Sequence, residues 1–159
     1  MTSESDWLKE IRALLGSCRI GFLATQGKTG AESSMAPYAL HGENVLLHLS
    51  RLARHTANIQ THPMSGFMIC APESSMDSPL ALPRLSLQGS ISPVPNEALI
   101  SAQKAYLSAI AEAEPLFDFA DFQLFRLEVA NIRWVGGFGS ARDIPLNTWR
   151  KITTSGKEN

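Results

Sequence analysis

The stretch NVLLHLSRLARHTANIQTHP, residues 44–63, changes its period halfway. Asn44–Leu49 is a short apolar run that follows the turn sequence HGEN, which reads as a strand. From Arg51 the pattern turns helical: Leu52, Thr56 and Ile59 share a face, and Pro63 stops a helix over 51–62. Ser50 then falls at the junction, where serine is a favoured N-cap and the next backbone N–H groups lack helical partners. Those groups, the positive end of the helix dipole and Arg51 together form an anion site, with Arg54 one turn further on the same side. Thr56 and Asn58 add hydrogen-bonding capacity. Two readings stay open on spacing alone: a phosphate cradle, or a solvated helix face.

Working outward, CRIGFLAT (18–25), SSMAPYAL (33–40) and MSGFMICA (64–71) are further strand-like runs, and QGKTG supplies a turn. Pro37 points to a bulge or an edge position. PESSMDSPLALP has loop composition, RLSLQGSISPV resumes strand alternation, and FQLFRLEVANIRWVGGFG reads as one or two more strands. Helical spacing appears in NEALISAQKAYLSAIAEA, and again at the N-terminus, where Trp7, Leu8, Ile11, Leu14 and Leu15 predict a helix over about 4–16. Strands joined by tight turns favour an antiparallel sheet, and closure removes its exposed edges. The expectation is an α+β single domain over 1–159: a six-stranded antiparallel β-barrel with flanking helices and a short tail after 145.

Composition narrows the function classes. Apolar residues make up 44% and charged residues 18%, with a formal net charge of −1. This is globular composition, without the clustered positive charge that nucleic-acid binding needs. Cys18 and Cys70 lie singly in apolar runs, which fits a reducing cytoplasm rather than a disulfide framework. No run approaches the length of a membrane span, and the acidic, amphipathic N-terminus lacks the pattern of a signal peptide. His41, His48, His55 and His62 recur every seven residues but cross a turn, a strand and a helix, so they predict no metal site. His55 keeps an interest of its own, beside Arg54. WVGGFG (134–139) closes a strand rather than opening a dinucleotide-binding helix. Its glycines admit either the approach of a flat ligand, with Trp134 or Phe138 packing nearby, or a bulge flanked by core aromatics. No nucleophile signature is present, and no catalytic residue is assigned.

The order of SSMAPYAL, LARHTANI, LPRLSLQGSISPV and RLEVANIRWVGGFG resembles the pyridoxamine 5′-phosphate oxidase-like superfamily of FMN-binding split barrels, in the branch that includes bacterial heme-utilisation proteins. The resemblance runs from about Ile20 to Ile144. It implies a homodimer with two FMN sites at the subunit interface. Ser50 and Arg51, with Arg54 close by, would hold the FMN phosphate, and His55 is a further cofactor-binding candidate. Ser34, Met35, Ala36 and Pro37 would run beside the flavin, and Trp134, Gly136 and Gly137 would face the cofactor of the other subunit. The activity implied is that of a flavin-dependent oxidoreductase with a small substrate. Heme binding, or a non-enzymatic flavin protein, are the alternatives. The oxidases' Ser-Arg-Lys is here Ser50, Arg51 and Leu52, and their substrate-gripping Arg-x-His is replaced by Ser140, Ala141 and Arg142, which argues against pyridoxamine phosphate oxidation. Heme-degrading members use a histidine near the C-terminus. None follows His62 here, so heme would need another ligand, such as His55.

Overall fold

In the computed structural model, residues 4–75, 78–137 and 140–154 are described. The strands are β1 (Ile20–Gly27), β2 (Gly30–Pro37), β3 (Ala39–His41), β4 (Asn44–Ser50), β5 (Met64–Cys70), β6 (Arg84–Pro93), β7 (Phe122–Val135) and β8 (Ala141–Ile144). The helices are α1 (Glu4–Ser17), α2 (Arg54–Thr61), α3 (Leu99–Ala109) and α4 (Leu146–Thr154). All strands join one antiparallel sheet in the order β2-β1-β5-β6-β7-β4-β3, with β8 beside β7. The count is eight rather than the expected six. SSMAPYAL divides at Tyr38 into β2 and β3, and β8 follows the glycine-rich turn.

That division explains the shape. β2 and β3 occupy opposite ends of the sheet order, yet only Tyr38 separates them along the chain. The sheet must therefore curl until its two ends meet. Tyr38 is the corner: its N–H donates to the Arg19 carbonyl beside β1, and Ala39 pairs with Leu46 of β4. Its hydroxyl donates to the Cys18 carbonyl at 2.8 Å, and its ring meets Phe67 edge-on. The result is an open, barrel-like antiparallel sheet whose inward residues alternate with outward ones, as strand geometry requires. In β1, Leu23 and Thr25 are buried while Phe22 and Ala24 are exposed.

One core fills the barrel and continues under α1 and α4 through Trp7, Ile11, Leu14, Trp149 and Ile152. The sequence read the segment after 145 as a short tail; it is a helix with Trp149 fully buried and its indole N–H donating to the Glu43 carbonyl at 2.9 Å. A second core lies between α3 and the strands β3, β4 and β7, around Leu46, Tyr106 and Leu124. The long predicted helix of 96–113 is shorter: α3 stops at Ala109 and a 3-10 helix, Ala111–Asp118, takes over before Pro115.

β7 is the longest strand and carries a bulge. Its first half pairs with β4 and its last residues with β8, and the register to β6 shifts between Gln88 and Gly89. Ala130 is the unpaired extra residue there, and it lets one strand serve both neighbours. Among the described residues no helix is long and apolar enough to cross a membrane.

His48, on β4, is stacked on Phe117 at 4.0 Å between ring centroids and tilted against Tyr106 and Phe122. Its buried Nδ1 has no hydrogen-bond partner, and desolvation pushes its pKa down to about 4. The folded state thus favours neutral His48, whereas the unfolded chain protonates near its ordinary value of about 6.5. Stability from this site is complete above about pH 6.5 and is lost as the pH falls toward 4. Because the ring is only half-buried, the loss is about 1–2 kcal/mol. A thermal midpoint that falls between pH 7 and 4.5 in the wild type, with a flatter dependence in His48→Phe, is the expected outcome.

Candidate functional site

A polar pocket of about 430 Å³ opens where the edge strand β2 and its neighbour β1 meet α2. The β1–β2 hairpin aligns Thr25 with Glu32 and Leu23 with Ser34, placing Glu32 and Ser34 on one side of β2. α2 adds Arg54, His55 and Asn58 to the rim. The helix is anchored through Thr56 and Ile59, its buried residues, and Thr56 Oγ1 donates to the Ser50 carbonyl at 2.6 Å. His62 N–H closes the last turn onto the Asn58 carbonyl at 2.7 Å, and Pro63 ends the element.

The predicted start of this helix is corrected. Ala53, without any side-chain capping bond, is the N-cap, and α2 begins at Arg54 rather than Arg51. Leu52 lies in the preceding turn and is 85% exposed, so it shares no face with Thr56 and Ile59. Ser50 Oγ does accept the Leu52 N–H at 3.2 Å, but its own proton goes to the Asp121 carboxylate at 3.0 Å.

The two arginines do not converge. The β4–β7 pairing brings residues 119–121 alongside Ser50, and there the Arg51 backbone N–H donates to the Asp121 carbonyl at 2.6 Å. Its guanidinium donates to the Ala120 carbonyl. Arg54 turns the other way and pairs with Glu32. Asn58 Nδ2 donates both to Glu32 Oε1 at 2.7 Å and to Thr25 Oγ1 at 3.1 Å. The Asn58 amide first, and the Arg54 guanidinium second, hold the Glu32 carboxyl below the usual carboxylate range. A negative charge therefore already sits against Arg54, and a second one against Ser50.

His55 lines the same pocket. Its ring nitrogen Nε2 is buried without a hydrogen-bond partner, and burial lowers its affinity for a proton. The imidazole is thus neutral at ordinary pH, with an uncommitted nitrogen. Among the other histidines, His41 Nε2 bonds Ser101 Oγ at 2.8 Å, His48 lies among aromatic rings, and His62 is exposed at the C-cap of α2. Among the described residues no group of three or more His, Cys, Asp or Glu could hold a metal ion.

Of the residues expected at the site, Ser34, Arg54 and His55 line this pocket. Met35 is on the opposite side of β2, 57% exposed, and Ala36 is buried inside the barrel, followed by half-buried Pro37. Trp134 is fully buried in the core, and Gly136 borders a separate groove with Glu10 and Leu14 on α1. Gly137 adopts φ +134°, a conformation suited to glycine. Phe138 and Gly139 lie outside the described residues. Sequence reading missed Thr25, Glu32 and Ser33. Two-residue alternation back from Ser34 reaches Glu32, and the QGKTG turn then places Thr25 opposite it.

An open antiparallel barrel with a ligand-sized pocket between an edge strand and the following helix defines a split-barrel protein. The chain belongs to the family described as CREG, beta-barrel, which matches residues 18–151. It is 25% identical over 142 residues to the heme oxygenase HutZ of Vibrio cholerae, a match covering 86% of this chain and 78% of that protein. The structure is similar to that of a heme binding protein from Mycobacterium smegmatis, with a TM-score of 0.85 and 30% identity over 94% of this chain. The chain spans only 62% of the mycobacterial protein. A putative pyridoxamine 5′-phosphate oxidase from Listeria innocua shares the fold, with a TM-score of 0.64 and 16% identity, covering 82% of this chain and 99% of that one.

These findings correct the expectation of FMN. Relatives of this chain carry the names of heme proteins, and the phosphate cradle is not assembled. The residues do not fit a flavin phosphate: Arg51 is engaged with a carbonyl, and Arg54 and Ser50 each serve a carboxylate of the protein.

Proposed function

We propose that this chain is a heme-binding protein. The carrying observation is His55, an imidazole that lines the pocket and whose buried ring nitrogen Nε2 has no hydrogen-bond partner, with burial disfavouring its protonation. Neutral imidazole is a common ligand of heme iron. The residues present fit the group in this respect, since an orphaned buried nitrogen is what metal ligation would satisfy. His55 would hold the iron through its imidazole, and Ser33 and Ser34 would be further contacts in the same pocket. Bound heme would supply a redox-active iron. The names of the Vibrio and mycobacterial relatives support this reading. Its test is a hemin titration of the purified chain followed by absorption: a saturable Soret band is expected, and linear, unsaturable absorbance would reject the proposal.

The reading includes a homodimer. Met35, Phe22 and Met68 are directly opposed across β2, β1 and β5, all on the outer face and 57%, 49% and 39% exposed, with Ile20 beside them. A contiguous apolar sheet face of this kind marks an interaction surface. Placed next to the pocket-bearing edge strand, it suits a second copy of the chain. Light scattering is expected to give the mass of two chains for the wild type and of one for Phe22→Arg. A monomeric wild type at the same concentration would refute the dimer.

A further inference from the structure

Glu32 has no part in the barrel core, yet with Asn58 it is at the centre of the hydrogen bonding in the pocket. Its carboxylate takes Asn58 on one oxygen and Arg54 on the other, and Asn58 is itself tied to Thr25. An arginine, an amide N–H and the hydroxyls of Ser33 and Ser34 around one pocket make an anion receptor in all but one respect. The anion it holds belongs to the protein. We propose that Glu32 is the specificity-determining residue of this pocket, an internal carboxylate that occupies the anion position and shuts out phosphate-bearing ligands.

The two partners are unequal. The Arg54 side chain is 86% exposed and can swing away, whereas that of Glu32 is 29% exposed and fixed by Asn58. An incoming phosphate could recruit Arg54 only by sitting beside a carboxylate that stays in place. Like charges at that separation repel, and the repulsion is strongest where solvent is partly excluded. The pocket is therefore left to ligands recognised by other means. This selectivity concerns the same pocket as the heme reading but is tested without heme, since phosphate binding alone reads it.

Glu32→Gln removes the charge while its amide oxygen still accepts from Asn58, and it releases Arg54. Inorganic phosphate is the probe, followed by calorimetry and by ³¹P line broadening. The variant is expected to bind phosphate at least tenfold more tightly than the wild type, and Glu32→Gln combined with Arg54→Ala is expected to lose that gain. Equal binding by wild type and Glu32→Gln would overturn the inference. So would a gain that survives removal of Arg54, since the anion would then sit elsewhere. Should Glu32→Gln not fold, Glu32→Ala asks the same question with the same two outcomes.

Discussion

Gly89→Ala is expected to remove a large fraction of the folding stability. A Cβ on Gly89 would lie 2.0 Å from the Glu128 carbonyl oxygen and 2.9 Å from its carbon, with Leu127 Cδ1 at 3.1 Å. The opposing atoms are backbone, and Glu128 is held in the ladder by its pairing with Ser90. Neither strand can retreat without breaking the bulge that lets β7 pair on both sides. Overpacking a core against movable side chains already costs about 1–3 kcal/mol, and here the obstacle is a strand. A loss of about 3 kcal/mol or more is expected, a large fraction of the typical 5–15 kcal/mol of a whole domain. Urea denaturation checks it, with Gly66→Ala as the control. There the nearest atom to an added Cβ is Ala24 Cβ at 3.7 Å, and the midpoint is expected to move little. Equal midpoints for the two variants would show that the bulge yields.

His55→Ala is expected to weaken hemin binding at least about tenfold, because metal sites lose that much even when only a supporting group is removed. Alanine leaves no donor on this wall of the pocket: Arg54 is cationic, and Glu32 and Asn58 are already bonded to one another. His62→Ala, one helix length away at an exposed position, is expected to bind hemin as the wild type does. The acid limb gives a second check. Protons compete for the same lone pair, and burial lowers the His55 pKa. Hemin affinity should fall on acidification, at a lower pH than it would for a histidine with an unshifted pKa. Wild-type affinity in His55→Ala would move the iron ligand elsewhere.

Much of the architecture could be read from local pattern. Strand alternation, the QGKTG turn and the helical spacing of Trp7, Ile11 and Leu14 are properties of neighbouring residues, and they reappear in β1, β2 and α1. β3 and β8 were not separated because three- and four-residue strands carry too few alternations to show a period. α4 is similar: its nine residues hold only two buried positions, Trp149 and Ile152. The site was harder to read for a different reason. Arg51 and Arg54 stand three residues apart, and spacing alone sends them to one ligand. Their real partners, Ala120 and Glu32, arrive from 69 and 22 residues away. A local pattern records the cations of a cradle but not the carboxylates that neutralise them from across the sheet.

The position of β7 in the sheet also bears on how the chain must be made. β2, β1, β5 and β6 form a continuous run of neighbours that is complete once residue 93 has been synthesised. The β3–β4 hairpin is finished by residue 50, but among the described residues it joins the sheet through β7, which begins at Phe122. During translation that hairpin waits with Val45, Leu46 and Leu47 uncovered until residues 51–121 and then β7 itself have been made. Apolar strands left unpaired in this way are sites of misassociation. Misassociation during synthesis should therefore centre on one hairpin, and on the interval before a single late strand emerges to claim it.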